Sequence, residues 1–79
     1  MSPTIVQEDG FRFYFFSREE ARMHVHVNER GGEAKIWLEP AVEVAENHGL
    51  RAHRLNAAVR LVRKHENAIR KAWYAHFGC

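Results

Sequence analysis

Near the middle of the chain stands the run Arg22-Met23-His24-Val25-His26-Val27, followed after a short loop by Glu33-Ala34-Lys35-Ile36-Trp37-Leu38. In both runs apolar and polar residues alternate, as they do along a half-buried β-strand. A loop containing two glycines between such runs predicts a β-hairpin. With residues 29–32 as a four-residue loop, the predicted partners are Asn28 with Glu33, Val27 with Ala34, His26 with Lys35, Val25 with Ile36, His24 with Trp37 and Met23 with Leu38.

This register gives the hairpin one apolar face and one polar face, because alternate side chains of a strand share a face. The apolar face holds Met23, Val25, Val27, Ala34, Ile36 and Leu38. The polar face gathers Arg22, His24, His26, Lys35 and Trp37. A five-residue loop would move both histidines among the apolar residues, which the cost of burying imidazole disfavours. The polar face is therefore expected to be partly exposed, and it is the first place to look for function.

A second hairpin is predicted at the start of the chain. The runs Thr4-Ile5-Val6-Gln7 and Phe11-Arg12-Phe13-Tyr14-Phe15-Phe16 flank Asp9-Gly10, a dipeptide typical of a two-residue type I′ turn. The predicted partners are Glu8 with Phe11, Gln7 with Arg12, Val6 with Phe13, Ile5 with Tyr14 and Thr4 with Phe15.

The remainder of the chain predicts one more strand and a helix. Residues 41–49 alternate weakly and end in a turn at Asn47-His48-Gly49, which we interpret as a short edge strand. Residues 52–77 are helical by the spacing of their apolar residues, namely Leu55, Val59, Val62, Ile69, Trp73 and Phe77, and Gly78 would end the helix. The predicted fold is α+β: an antiparallel sheet of four or five strands, including two N-terminal hairpins, packed on one long C-terminal helix.

That helix would be about 39 Å long, whereas a compact domain of this length has a radius of gyration of about 12 Å. Either part of the helix projects and packs on another chain, or the helix breaks near His65-Glu66-Asn67. Because Trp73, Tyr74 and Phe77 crowd its last turns, we expect these aromatics to form a partner interface, in a homodimer or a hetero-complex.

Composition sets the broad class of the protein. The 79 residues are 46% hydrophobic, which favours a single folded domain over residues 1–79. We find neither an apolar run long enough for a membrane span nor a secretory signal pattern, so we expect a cytoplasmic protein. Cys79 is the only cysteine, which excludes an intrachain disulfide and a cysteine-based zinc site.

Charge is divided unevenly along the chain. Residues 1–50 carry a net charge of −4, and residues 51–79 carry +6, with Glu66 as their only acid. Such a split indicates an anionic partner for the C-terminal helix, or neutralisation of one half by the other within the fold. Both interpretations remain open at this point.

The chain resembles the bacterial family called domain of unknown function 4160. The resemblance is carried by the segments Gly10-Phe11-Arg12-Phe13-Tyr14-Phe15-Phe16-Ser17, His24-Val25-His26-Val27, Gly32-Glu33-Ala34-Lys35-Ile36-Trp37-Leu38 and Ala72-Trp73-Tyr74-Ala75-His76-Phe77-Gly78. Family members commonly have two prolines where this chain has Arg22-Met23. The resemblance implies no particular reaction. It implies a gene pair, because members are often encoded beside a second small-protein family in pairs that look like toxin–antitoxin modules.

Two chemical interpretations of the polar face compete. A His-x-His pair can ligate zinc, but the chain offers no further ligand at a diagnostic spacing, and Lys35 would oppose a bound cation. RNA cleavage needs a base, an acid and a cation, which His24, His26 and Lys35 would supply as catalytic residues without a metal or other cofactor. The alternative to both is an ordinary solvated sheet face that only contributes to stability. Whether the protein is an enzyme therefore stays open at this point.

RNA contacts are predicted on two surfaces. Aromatic side chains on a sheet face can stack bases, and Lys or Arg can bind phosphates. The candidate RNA-binding residues are Arg12, Tyr14, Arg22 and Trp37 on the sheet and Arg60, Arg63 and Lys64 on the helix. The leading hypothesis is thus a toxin-type component that binds or cleaves RNA and is neutralised by a small acidic protein encoded beside it. A non-catalytic, antitoxin-like interaction module is the alternative, and a metal-dependent hydrolase is third.

Overall fold

The two hairpins continue into a single antiparallel sheet of five strands. The computed structural model describes residues 4–16 and 21–78. Its strands are β1 (Thr4–Glu8), β2 (Phe11–Tyr14), β3 (His24–Glu29), β4 (Gly32–Trp37) and β5 (Glu43–His48), and they lie in the sheet in chain order. Two helices follow, α1 (Ala52–Lys64) and α2 (Glu66–Phe77). The predicted α+β class and the edge strand after Pro40 are confirmed.

Both hairpins turn in the same way. Asp9 and Gly10 have φ angles of 53° and 84°, and Arg30 and Gly31 have 49° and 84°. Positive φ at both central residues is the signature of the type I′ turn, whose twist matches that of the strands. The second turn is tighter than the predicted four-residue loop, because Glu29 already pairs with Gly32. The predicted register of β3 against β4 is confirmed from the Asn28–Glu33 pair to the His24–Trp37 pair.

The first hairpin follows its predicted register only near the turn. Glu8, Gln7 and Val6 pair as expected, but Thr4 then lies opposite Tyr14, so the predicted Ile5–Tyr14 and Thr4–Phe15 pairs are wrong. A β-bulge at Ile5 causes the shift. Strict alternation would turn one of two consecutive residues outward, whereas here Ile5 and Val6 both pack against the core.

The core lies between the sheet and the two helices. Its most buried members from the sheet side are Phe11, Phe13, Phe15, Val25, Val27, Ile36 and Leu38, and α1 and α2 contribute Ala58, Leu61, Val62, Ile69 and Trp73. The predicted apolar face of the second hairpin is thus fully covered. Leu61 joins the core although it was not part of the predicted helical stripe.

The predicted single helix over residues 52–77 is two helices that meet at His65, as the alternative proposed. The molecule measures 33 × 27 × 20 Å, so a straight helix of about 39 Å would extend beyond it. His65 leaves helical geometry (φ −105°, ψ 18°), and this bend lets both helices cover the sheet. The Glu8 carboxylate holds the bend, with Lys64 Nζ at 2.8 Å and His65 Nε2 at 2.7 Å.

The bend also changes the surroundings of the predicted interface aromatics. Trp73 and Phe77 both contact Phe15, with ring centroids 5.3 and 5.7 Å apart, and Trp73 is only 3% exposed. The physical reason for expecting these two residues at a partner interface is therefore removed. Tyr74 differs, because 51% of it is exposed. Neither helix is long and apolar enough to cross a membrane.

Candidate functional site

His24 lies on the predicted sheet face, but the expectation that it is partly exposed is wrong. Its relative exposure is 0%, and its ring lies 5.4 Å from Trp37 and 5.5 Å from Trp73. Its Nδ1 is 2.7 Å from the carbonyl oxygen of Arg22. Since a carbonyl can only accept, Nδ1 carries the proton and donates it there. His24 is thus enclosed at the end of the sheet where α2 packs, out of reach of a substrate.

The other residues of the predicted patch form a surface of stacked cations and aromatic rings. We call it the cationic aromatic surface, and it consists of Arg12, Tyr14, Arg22, His26, Lys35 and Trp37. The guanidinium of Arg22 lies 4.0 Å from the centre of the Trp37 ring, and Lys35 Nζ lies 4.5 Å from it. Arg12 lies 4.3 Å from the centre of the Tyr14 ring. Cations are therefore already placed against the aromatic rings that sequence reasoning assigned to RNA bases.

One of these six residues, Tyr14, is less accessible than the rest. Tyr14 is 5% exposed, and its ring stacks on the half-buried His26 with centroids 5.7 Å apart. Burial, reinforced by the negative charge of Glu33, raises the pKa of the Tyr14 phenol. The Phe16 ring lies 4.3 Å from that of His26. Trp37 is the more accessible aromatic of the surface, because it is only half-buried.

A cleft of about 260 Å³ opens beside this surface, across strands β3, β4 and β5. We call it the β3–β5 cleft; it is lined by Phe16, His26, Glu33, Ala34, Lys35, Glu46 and His48. Strand pairing explains how these groups meet: His26 pairs with Lys35, Lys35 with Glu46, and Glu33 with His48. The cleft therefore contains a second imidazole besides His26, and it is not the predicted His24.

Sequence reasoning did not identify His48 and Glu46 as site residues. His48 Nε2 lies 3.0 Å from Glu46 Oε1, and their side chains are 72% and 55% exposed. The strand that carries them was predicted, but its register against β4 was not. A bulge in the β4–β5 pairing, between Lys35 and Ile36, sets that register. No local sequence pattern predicts such an irregularity. The position of Glu46 and His48 near Lys35 therefore follows only from the pairing of strands in the sheet.

Ion pairs show that the two oppositely charged halves of the chain neutralise each other in part. Three C-terminal bases bind acids of the first half: Arg54 pairs with Glu29, Lys64 with Glu8, and Arg70 with Glu39. Hydrogen bonding in these pairs raises the pKa of each base and lowers the pKa values of the Glu8 and Glu29 carboxyls. Lys64, a predicted RNA-binding residue, is therefore engaged within the fold.

The other two predicted RNA-binding residues of the helix remain accessible. Arg60 and Arg63 are exposed on α1, and neither makes an ion pair with any residue in the ranges 4–16 and 21–78. Within those same ranges, no three His, Cys, Asp or Glu side chains are grouped to hold a metal ion.

Comparisons with known proteins identify a family. The family model described as a domain of unknown function, DUF4160, matches residues 10–74, which span β2 to most of α2. The searches of curated proteins and of solved structures found no match. Because the matched segment holds the core strands, the cationic aromatic surface and the β3–β5 cleft, the chain belongs to the DUF4160 family.

Proposed function

We propose that this protein binds single-stranded RNA and acts as the toxin-type component of a bacterial toxin–antitoxin-like pair, neutralised by a small acidic protein. The observation that carries the proposal is the packing of Arg22 and Lys35 against Trp37 on a half-buried sheet face. The suggestion of a paired gene comes from the resemblance to the family.

Single-stranded RNA offers unstacked bases and a continuous line of phosphates. Trp37 supplies a flat ring for a base, and the two cations that lie over this ring, Arg22 and Lys35, would move from it to the neighbouring phosphates when a base takes their place. Arg12, next to Tyr14, extends the positive charge toward β1. The recognition would be tolerant of sequence, because every base has a face to stack and every nucleotide has a phosphate.

The exposed bases of α1 provide the second part of the proposal. Arg60 and Arg63 are three residues apart, so they lie on the same side of the helix. They can contact RNA phosphates, and an acidic partner that covers them would compete with RNA by charge. Lys64 contributes less, because Glu8 already holds its ammonium group.

Binding is tested by fluorescence anisotropy with a labelled single-stranded RNA. Trp37→Ala is expected to weaken binding about 5- to 150-fold, since stacking one base is worth about 1–3 kcal/mol. Replacing Arg60 and Arg63 by glutamine should weaken binding of all sequences alike and reduce the slope of log K against log salt by about 1.4. Tyr74→Ala, which removes an exposed aromatic ring elsewhere, is the matched control and should bind normally. Unchanged affinity in Trp37→Ala would contradict the proposed surface.

The toxin role has its own test in growing bacteria. Induction of the gene alone is expected to arrest growth, and co-expression of the neighbouring gene should restore it. The Trp37→Ala variant, expressed to the same level, should be harmless if RNA binding causes the arrest. If induction of the gene alone leaves growth unaffected while the neighbour alone is toxic, the antitoxin-like interaction module is the correct assignment.

A further inference from the structure

The β3–β5 cleft brings two imidazoles and a lysine together. His26 is on β3, Lys35 is its partner on β4, and His48 is on β5, so one strand separates the two histidines. Neighbouring strands lie about 4.8 Å apart, and His48 is offset from His26 by two residues along the strands, which puts the backbones carrying them about 12 Å apart across the sheet. The side chains of all three residues line the same cleft. A phosphodiester seated between Lys35 and Glu33 would therefore have His26 on one flank and His48 diagonally across β4 on the other, with Glu46 directly opposite Lys35.

The Glu46 carboxylate orients one of these rings. His48 Nε2 lies 3.0 Å from Glu46 Oε1, and a carboxylate can only accept, so this nitrogen carries a proton. In the neutral ring the other nitrogen, Nδ1, then holds a lone pair. The hydrogen bond to Glu46 also fixes the ring, so that Nδ1 is the nitrogen available to take up a proton. His48 thus has the tautomer and the support that a general base requires.

We infer that the β3–β5 cleft cleaves RNA, with His48 as general base, His26 as general acid and Lys35 as the cation that stabilises the phosphorane. This inference rests on the proposed RNA binding. His48 Nδ1 removes the proton of the ribose 2′-hydroxyl, whose oxygen attacks phosphorus and forms a new O–P bond. The bond from phosphorus to the 5′-oxygen breaks, and His26 donates a proton to that oxygen. The products are a 2′,3′-cyclic phosphate and a 5′-hydroxyl.

The cleft adjoins the cationic aromatic surface in a way that suits this substrate. Trp37 lies two residues beyond Lys35 on the same face of β4, and Lys35 Nζ is 4.5 Å from the centre of its ring. A base stacked on Trp37 would place an adjacent phosphate near Lys35. Glu46 has two opposing effects: its charge repels RNA, and its hydrogen bond supports His48. It is a positioning residue.

The experiment uses the full chain and a single-stranded RNA, with binding and cleavage measured separately. Wild type is expected to release a 2′,3′-cyclic phosphate product, and to bind without cleaving an RNA in which every 2′-hydroxyl is removed. His48→Ala and His26→Ala should each lower kcat by about 10²- to 10⁴-fold, and His48→Ala should leave Kd within about threefold. Added imidazole should restore part of the activity of His48→Ala. His53→Ala, which removes an exposed histidine of α1, should cleave normally.

Glu46→Gln distinguishes a positioning role from a structural one. Loss of its charge should tighten RNA binding while kcat falls, because the amide can donate as well as accept and no longer holds the His48 ring with its lone pair on Nδ1. Glu43→Gln removes the same charge from the same strand, outside the cleft, and should keep the wild-type kcat. A purely structural role for Glu46 would instead lower the melting temperature.

Three results would overturn the inference. Wild type that binds RNA without cleaving it would remove the catalytic assignment and leave the proposed RNA binding intact. Cleavage that persists in His48→Ala, purified in the same way, would show either that another group is the base or that a contaminating nuclease cleaves the RNA. Absence of any RNA binding by folded wild type would remove both the proposed function and this inference.

Discussion

Replacement of Val25 by aspartate is expected to unfold the protein at room temperature. Val25 is 0% exposed and pairs with Ile36 at the centre of the sheet, on the face that the helices cover. A carboxylate placed there loses its hydration and gains no partner, which costs several kcal/mol. Small domains are stable by only about 5–15 kcal/mol, and one of this size lies near the lower end. Far-UV circular dichroism and urea titration measure the loss.

Asn28→Asp is the matched control for this change. Asn28 is on the same strand but an odd number of residues away, so its half-buried side chain lies on the opposite face. The new carboxylate stays in contact with water there, and the free energy of unfolding should change by less than about 1 kcal/mol. A cooperative unfolding transition near the wild-type midpoint in Val25→Asp would mean that the core and polar faces of β3 have been assigned the wrong way round.

Replacement of Trp73 by alanine is expected to lower the free energy of unfolding by about 3–5 kcal/mol, the usual cost of emptying a buried aromatic site. Trp73 is 3% exposed, and its ring contacts Phe15, His24 and Phe77. Trp73 thus links α2 to the core and also contacts the enclosed His24. Loss of its ring should also admit water to His24, which NMR of the His24 ring protons would report.

Tyr74→Ala separates packing from partner binding in the same helix. Tyr74 follows Trp73 directly but is 51% exposed, so its loss should change the free energy of unfolding by no more than about 0.5 kcal/mol. Of the three predicted interface aromatics it is the exposed one, and weaker binding of the acidic partner in Tyr74→Ala would locate that partner at α2. Equal destabilisation by both substitutions would contradict the burial of Trp73 within one chain.

The second hairpin shows how far local pattern extends. Alternation along residues 22–27 and 33–38 assigned each side chain to a face, and the cost of burying two imidazoles chose between two registers. The structure has that register, since His26 pairs with Lys35 and His24 with Trp37. The loop is two residues shorter than predicted, but the pairing is unchanged, because Glu29 and Gly32 simply add one more pair in the same register. Turn residues and side-chain parity act between near neighbours, and such interactions can be read from the chain alone.

The first hairpin and the helix show where local pattern stops. The bulge at Ile5 brings two consecutive apolar residues to the core, and the bend at His65 keeps the helices within the length of the sheet. In both places regular geometry gives way so that more apolar surface is buried. The burial of apolar surface is a property of the whole core. Nothing local predicted the bulge at Ile5, and the length of the helix gave the break near His65 only as one of two alternatives.

The candidate site divides in the same way. Local pattern was enough to predict which strands form, which face carries His24, His26, Lys35 and Trp37, and that the chain is divided in charge. Packing across the fold accounts for the enclosure of His24 by α2, for the ion pair of Glu8 with Lys64, and for a bulged edge strand that places Glu46 opposite Lys35 and His48 opposite Glu33. A strand dictates the direction of its own side chains through its backbone, whereas what covers or joins them depends on residues distant in the chain, brought near by burial of the shared core.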